Sequence, residues 1–265
     1  MNQSLIIGQY VPGESVVHKI DPRLKLIIIF IFVIAVFMAN NIWSYVSLYF
    51  FVFASVALSR IPVAYIFKGL KPVWWIIIIT FMFHLFFNSG GNVIVSFLGI
   101  NVHEQGVFQG ASIATRFFLL IVLATLLTLS TTPIAVTDAV ESLLKPLKKL
   151  RFPVHEIALM MSISLRFIPT FMQEMDKISK AQAARGLDYT KGKLKDRFKA
   201  LLPLLIPLLI SSFKRAEDLA LAMEARGYQG EEGRTKLRQL SFSKIDYIVI
   251  ISLIVFLVSF YMIRV

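Results

Sequence analysis

The sequence predicts an all-α integral membrane protein, on three observations. Of its 265 residues 57% are hydrophobic and only 17% are charged, whereas a soluble domain averages about 45–50% apolar residues even with glycine counted. The apolar excess is gathered into blocks: Leu26–Ala39 and Ile76–Phe87 contain no Lys, Arg, Asp or Glu. The basic excess is also gathered, with 20 of the 28 Lys and Arg between Thr131 and Lys244. A net charge of +12 would suit nucleic acid, but cytoplasmic loops of membrane proteins collect Lys and Arg, and no nucleic-acid partner is expected. With no Cys in the chain, disulfides, thiolate metal sites and Cys nucleophiles are excluded.

Crossing the hydrocarbon takes roughly 20 mostly apolar residues, about 17 at least. Five stretches qualify: about 24–40, 42–59, 70–88, 111–130 and 245–263. The polar leader is too long for a signal-peptide n-region, and Asn40-Asn41 turns the chain between the first two spans. Lys19, Arg23 and Lys25 precede the first span, and Arg60, Lys68 and Lys71 separate the second from the third. Asn40-Asn41 and the stretch 88–110 hold no Lys or Arg, so the N-terminus is expected inside the cell. Arg116, in the first turns of the fourth span, is expected to snorkel outward. Arg264 stands at the outer end of the last.

Two further apolar passages, Ile157–Met172 and Leu201–Phe213, are short and carry Pro169, Pro203 and Pro207. Making them spans would put a run of eight Lys and Arg outside, against the positive-inside bias. They read instead as the apolar halves of long helices, about 154–185 and 194–226, that need a partner surface. The expected organisation is an N-terminal membrane domain over 1–130, a cytoplasmic domain over 131–244, and a last transmembrane helix over 245–265. A helix starting at Thr132-Pro133, with Thr132 as N-cap and Pro133 at the first helical position, opens the cytoplasmic part. Asp138 and Glu141 lie in its first half and Lys145, Lys148 and Lys149 in its second, as the helix dipole favours, before a break at Pro153.

The cytoplasmic part contains an echo. Residues 174–186 align with residues 215–227, and both copies end in Ala-Arg-Gly: Ala184-Arg185-Gly186 and Ala225-Arg226-Gly227. Each glycine sits where a left-handed residue closes a helix. Ala181 and Ile178 share the face of Arg185, and Ala222 and Leu219 share that of Arg226. Arg before a capping Gly also complements the helix dipole, so one such tripeptide means little. Average usage gives on the order of 0.1 Ala-Arg-Gly per chain of this length. Two, at matched ends of two similar helices, point to docking of helix ends into grooves.

Other chemistry is missing from the sequence. There is no phosphate-cradling Gly-rich loop with Lys, so no P-loop ATP site is expected. His155-Glu156 lacks the second His of a zinc-protease helix. His84 lies in an apolar span and suits either a function or an interhelical hydrogen bond. No acid is expected inside the spans, against a proton-coupled carrier. A stand-alone secondary transporter or channel would need a polar pathway that His84 and Arg116 do not make. An intramembrane lipid-modifying enzyme or protease would need clustered acids or His.

The chain resembles the transmembrane T component of energy-coupling factor (ECF) transporters, the CbiQ family. The resemblance runs through Ile7-Gly8-Gln9-Tyr10, His18-Lys19-Ile20-Asp21-Pro22-Arg23-Leu24-Lys25, Glu104-Gln105-Gly106, Arg116, Thr131-Thr132-Pro133, Leu165-Arg166-Phe167-Ile168-Pro169 and both Ala-Arg-Gly ends. With about five transmembrane helices and three coupling helices expected from the residues, it implies that the last two, the long ones, are crossed, in a bacterial cell membrane. It implies a non-catalytic scaffold that binds no cofactor or metal itself. Two ABC-type ATPase subunits would bind ATP and Mg and receive residues 184–186 and 225–227. A membrane S component that captures a vitamin or metal ion would rest on the apolar helix faces, at Met160, Ile163, Phe167, Leu205, Leu208 and Leu209.

Overall fold

The computed structural model describes residues 10–88, 90–97, 100–186, 194–230 and 241–264, with backbone alone over 94–97, 100–102 and 194–200. Helices carry the fold: α1 (Val16–Lys19), α2 (Pro22–Met38), α3 (Ile42–Ser59), α4 (Val63–Phe87), α5 (Glu104–Ser130), α6 (Pro133–Leu144), α7 (Val154–Ala184), α8 (Leu194–Ala225) and α9 (Lys244–Arg264). Two compact units result, Met1–Leu143 with Leu240–Val265, and Leu144–Gln239.

In the first unit the all-α membrane expectation holds, with adjustments at the edges. Among the described residues four helices, α3, α4, α5 and α9, are long and apolar enough to cross a membrane. The first predicted span is α2, a 17-residue helix over 22–38, at the practical minimum. Two spans begin earlier than hydropathy suggests. α4 starts at Val63 and runs through Pro72, and α5 starts at Glu104. Between them a short antiparallel hairpin, β1 (Val93–Phe97) with β2 (Ile100–His103), pairs Val95 with Val102 and Phe97 with Ile100. The sequence reading gives no strand there.

The core joins α2, α3, α4, α5 and α9 through Phe32, Val36, Leu48, Val52, Ile66, Leu119, Leu129 and Phe260. Phe51 stacks on Phe32 at 5.5 Å and meets Phe256 at 4.6 Å. Around this core large apolar side chains face outward, among them Phe50, Trp75, Phe87 and Met262. In water such a surface would aggregate; in hydrocarbon it is the expected outer face. α4 and α5 approach closely because a Gly-x-x-x-Gly pair, Gly106 and Gly110, faces α4. A Cβ on Gly106 would lie 2.8 Å from the His84 carbonyl, and one on Gly110 3.1 Å from the Phe81 ring.

One end of this unit holds a buried polar knot. Asp21 caps α2 by accepting from the Arg23 amide at 2.8 Å, and Pro22 occupies the first helical position. Lys25, 6% exposed, donates to the Ser130 carbonyl (2.9 Å), Ser130 Oγ (3.3 Å) and Thr131 Oγ1 (2.9 Å). An ammonium at the C-terminal end of α5 complements that helix's dipole. Asp246, 1% exposed, accepts from the Asp21 amide (2.8 Å) and from the Ser243 amide (2.6 Å) and hydroxyl (2.9 Å). The Asp246 carboxylate reaching back to the Ser243 amide is one half of a capping box at the start of α9.

Two expectations are corrected by the knot. Lys25, counted among the cations that precede the first span, lies buried inside α2, and Asp246 is an acid inside the predicted span 245–263. Both stand at helix ends and are fully engaged there, as caps rather than as steps of an ion path. Arg116 is likewise spent within the protein instead of snorkelling. Its Nη2 donates to the Ala39 carbonyl that ends α2 (3.1 Å), and its Nε to Tyr45 Oη (3.1 Å). His84 gives its ring to an edge contact with Phe83 at 6.0 Å.

Candidate coupling site

α6 begins as its sequence dictates: Thr132 Oγ1 accepts from the Ala135 amide at 3.3 Å, and Pro133 is the first helical residue. It ends earlier than expected. Lys145, Lys148 and Lys149 lie in a 3-10 segment, Lys145–Leu150, closed by Arg151 in the left-handed region at φ 59°. α7 follows Pro153.

In the second unit the two long helices take the predicted lengths, 31 and 32 residues, and run through Pro169, Pro203 and Pro207 without breaking. Their described side-chain contacts run in opposite order along the two helices, from Phe167 to Gln182 on α7 and from Arg215 back to Pro203 on α8. Glu174 Oε2 of α7 pairs with Arg215 Nη2 of α8 at 3.2 Å, and Ser211 Oγ donates to Glu174 Oε1. The Arg215 guanidinium lies over the Phe167 ring, 5.8 Å from its centre. Further along, Gln182 Nε2 donates to the Pro203 carbonyl at 3.4 Å. That acceptor is explained by the sequence. A helical carbonyl is normally taken by the amide four residues on, and here that residue is Pro207, which has none.

Both helices end as the repeat predicts. Gly186 has φ +84° and Gly227 φ +75°, with open space around each, so backbone conformation rather than crowding calls for glycine. At the end of α8 the Gly227 amide donates to the Glu224 carbonyl (2.9 Å) and the Tyr228 amide to the Met223 carbonyl (3.0 Å), a Schellman closure. At the end of α7 the Gly186 amide donates to the Ala183 carbonyl at 3.0 Å in the same manner. Ala184, Arg185, Gly186, Ala225, Arg226 and Gly227 are all exposed. On the arginine faces Ile178 and Leu219 are half-buried, and Ala181 and Ala222 are exposed.

The apolar residues of α7 and α8 divide in two. Met160, Leu205 and Leu209 are exposed, while Ile163, Phe167 and Leu208 are half-buried, Phe167 against Arg215. On α8, Leu202, Leu205, Ile206, Leu209, Ile210 and Phe213 form an uncovered stripe at helical spacing. Sequence reasoning missed the inter-helix contacts. Their signals were present: two prolines four apart orphan one carbonyl, and opposite charges occupy equivalent positions of the repeat. Of the other residues singled out, Ile7-Gly8-Gln9 lie outside the described residues, as do two of the run of eight Lys and Arg between the apolar passages, Lys191 and Lys193.

The chain is thus a helical membrane protein that also carries two long helices with matched arginine-glycine ends. The CbiQ family, described as cobalt transport protein, matches residues 13–237, and the chain belongs to that family. It is similar over its whole length to the energy-coupling factor transporter transmembrane protein EcfT of Bacillus subtilis (strain 168), at 56% identity over 264 residues and 100% of both chains. The protein of the same name from Brevibacillus brevis is 51% identical over 97% of this chain and 98% of its own length. That from Macrococcus caseolyticus is 49% identical over 96% of each.

Proposed function

We propose that this chain is the coupling scaffold of an ECF-type importer, multi-pass in the bacterial cell membrane, with its N-terminus and coupling helices on the cytoplasmic side. The supporting observation is the pair of exposed arginines, Arg185 and Arg226, each carried on a long helix closed by a left-handed glycine. A rigid, exposed helix end with a guanidinium is suited to entering a groove and meeting carbonyl or carboxylate acceptors there. The partners are two ABC-type ATPase subunits, which bind ATP and Mg and carry out hydrolysis. This chain binds neither and is not an enzyme.

The uncovered stripe on α8 and the exposed Met160 of α7 receive a membrane S component that captures a vitamin or metal ion. Closure of the ATPase pair on ATP moves the two arginine ends relative to one another. The long helices carry that movement to the apolar stripe and tilt the S component. Co-expression with the ATPases followed by purification in mild detergent tests the assembly. The ATPases should accompany the intact chain and be lost from Arg185→Ala/Arg226→Ala. Equal recovery of ATPases with the double variant would refute the docking assignment.

A further inference from the structure

The repeat and the helix crossing, taken together, place a fulcrum. Glu174 and Arg215 are the first residues of the two aligned segments, 41 positions apart, and they are the residues that form the ion pair between α7 and α8. When two similar elements are related by an approximate two-fold axis, equivalent residues touch only where that axis passes. The Gln182–Pro203 contact runs in the antiparallel sense such an axis requires, lying forward of Glu174 on α7 and back from Arg215 on α8. Beyond the ion pair each helix runs eleven residues to its arginine, about 16 Å at 1.5 Å per residue. Both arms then end in a left-handed glycine, at +84° and +75°. The arms are equal in length and alike in their ends, which suits two ATPases related by the same symmetry.

We propose that Glu174 and Arg215 are positioning residues that form the pivot of the coupling levers. The contact between them persists through the transport cycle while points further along the arms change partners. This rests on the coupling function proposed above. Points on a rotation axis move least, so an ion pair placed there is not stretched when the arms turn. Ser211 and Phe167 hold the pair in place: the hydroxyl donates to Glu174, and the ring lies beneath the Arg215 guanidinium. Away from the axis, Gln182 and Pro203 are held by a single long hydrogen bond of 3.4 Å, suited to breaking and re-forming.

The chain has no Cys, so cross-links can be placed without background. In the ATPase-loaded complex in proteoliposomes, Glu174→Cys/Arg215→Cys would be bridged by a reducible bifunctional thiol reagent matched in reach to the Glu and Arg side chains, and uptake compared before and after reductant. A pivot predicts a ready cross-link and uptake within about two-fold of the reduced protein. By contrast Gln182→Cys/Pro203→Cys, once bridged by the same reagent, should lose about ten-fold or more in uptake and recover it with reductant. Failure of the 174–215 pair to be bridged by that reagent would overturn the pivot, as would loss of uptake on bridging that reductant restores.

A second readout needs no cross-link. Charge reversal by Glu174→Arg or Arg215→Glu alone should raise the ATP hydrolysed per substrate moved by about five-fold, and the double reversal should restore it. Absence of that rescue would also overturn the pivot. Arg185→Ala/Arg226→Ala serves as the reference. If that variant keeps coupled uptake the coupling reading itself fails, whereas an intact arginine requirement with a blocking 174–215 cross-link defeats the pivot alone.

Discussion

Gln182 of α7 donates to the carbonyl of Pro203 in α8, the one carbonyl that Pro207 leaves without its helical donor. A backbone defect in one long helix is thus satisfied by a side chain of the other, three residues before the arginine that ends it. A double-mutant cycle isolates this. Gln182→Ala should destabilise the chain by about 1 kcal/mol, the net value of an ordinary hydrogen bond. In a Pro207→Ala background, where residue 207 regains an amide for the Pro203 carbonyl, the same substitution should cost close to nothing. Thermal unfolding of the four proteins in detergent measures the coupling, and equal costs in both backgrounds would contradict it.

The glycines behind the arginines are required by their backbone angles. Gly186→Ala and Gly227→Ala should each cost roughly 1 kcal/mol, the penalty for an L-residue in the left-handed region. Gly227→Asn should cost less, because Asn tolerates that region. A Cβ would meet nothing at either position, so steric repair elsewhere is not available as an alternative explanation. Chemical denaturation of the variants, read on the α8 end by hydrogen exchange at Tyr228, distinguishes Ala from Asn.

Asp246 bears the strongest structural demand in the membrane unit. Its carboxylate accepts from Asp21 and twice from Ser243 while almost fully buried. Asp246→Ala strands those donors and should destabilise the unit by about 3 kcal/mol. Asp246→Asn keeps an acceptor and should lose less. Limited proteolysis in detergent reports the difference as faster cleavage, and indifference to both substitutions would show that the knot is not stabilising.

How far these features were legible in the sequence depends on how local their causes are. α3 (42–59) and the Gly-closed ends of α7 and α8 are set by hydropathy, Asn40-Asn41 and Ala-Arg-Gly, all readable within a few residues. Thr132 and Pro133 fix the start of α6 in the same way. Lys25 was misread because its partners, Ser130 and Thr131, are more than a hundred residues away, and Asp246 was overlooked although Ser243 lies three residues before it, its other partner, Asp21, being as remote. The hairpin over 93–103 and the early start of α5 were also hidden. Their polar residues lower hydropathy, yet the backbone pairs or coils regardless, since amides near the membrane need partners. The Glu174–Arg215 pair sat in plain view in the repeat alignment, but contact between equivalent positions needs a crossing geometry that one strand of sequence does not display.

Close packing of α4 on α5 rests on absent side chains. Gly106→Val would drive a branched side chain into the His84 carbonyl, already 2.8 Å from a Cβ. It should lower thermal stability more than Gly13→Val, where the nearest neighbour is the end of the His18 side chain. Melting curves in the same detergent decide this, and an order reversed from that stated would place the helix contact elsewhere.

The central claim concerns Arg185 and Arg226, and substrate uptake measured alongside ATP hydrolysis in proteoliposomes tests it most directly. On the proposed docking each arginine would be desolvated at an ATPase interface, and replacing both by Ala, at about 2–5 kcal/mol each, should abolish ATP-dependent uptake. The membrane unit should remain folded, and any residual hydrolysis should no longer depend on substrate. Wild-type uptake, with hydrolysis still coupled to it in the double variant, would contradict the account.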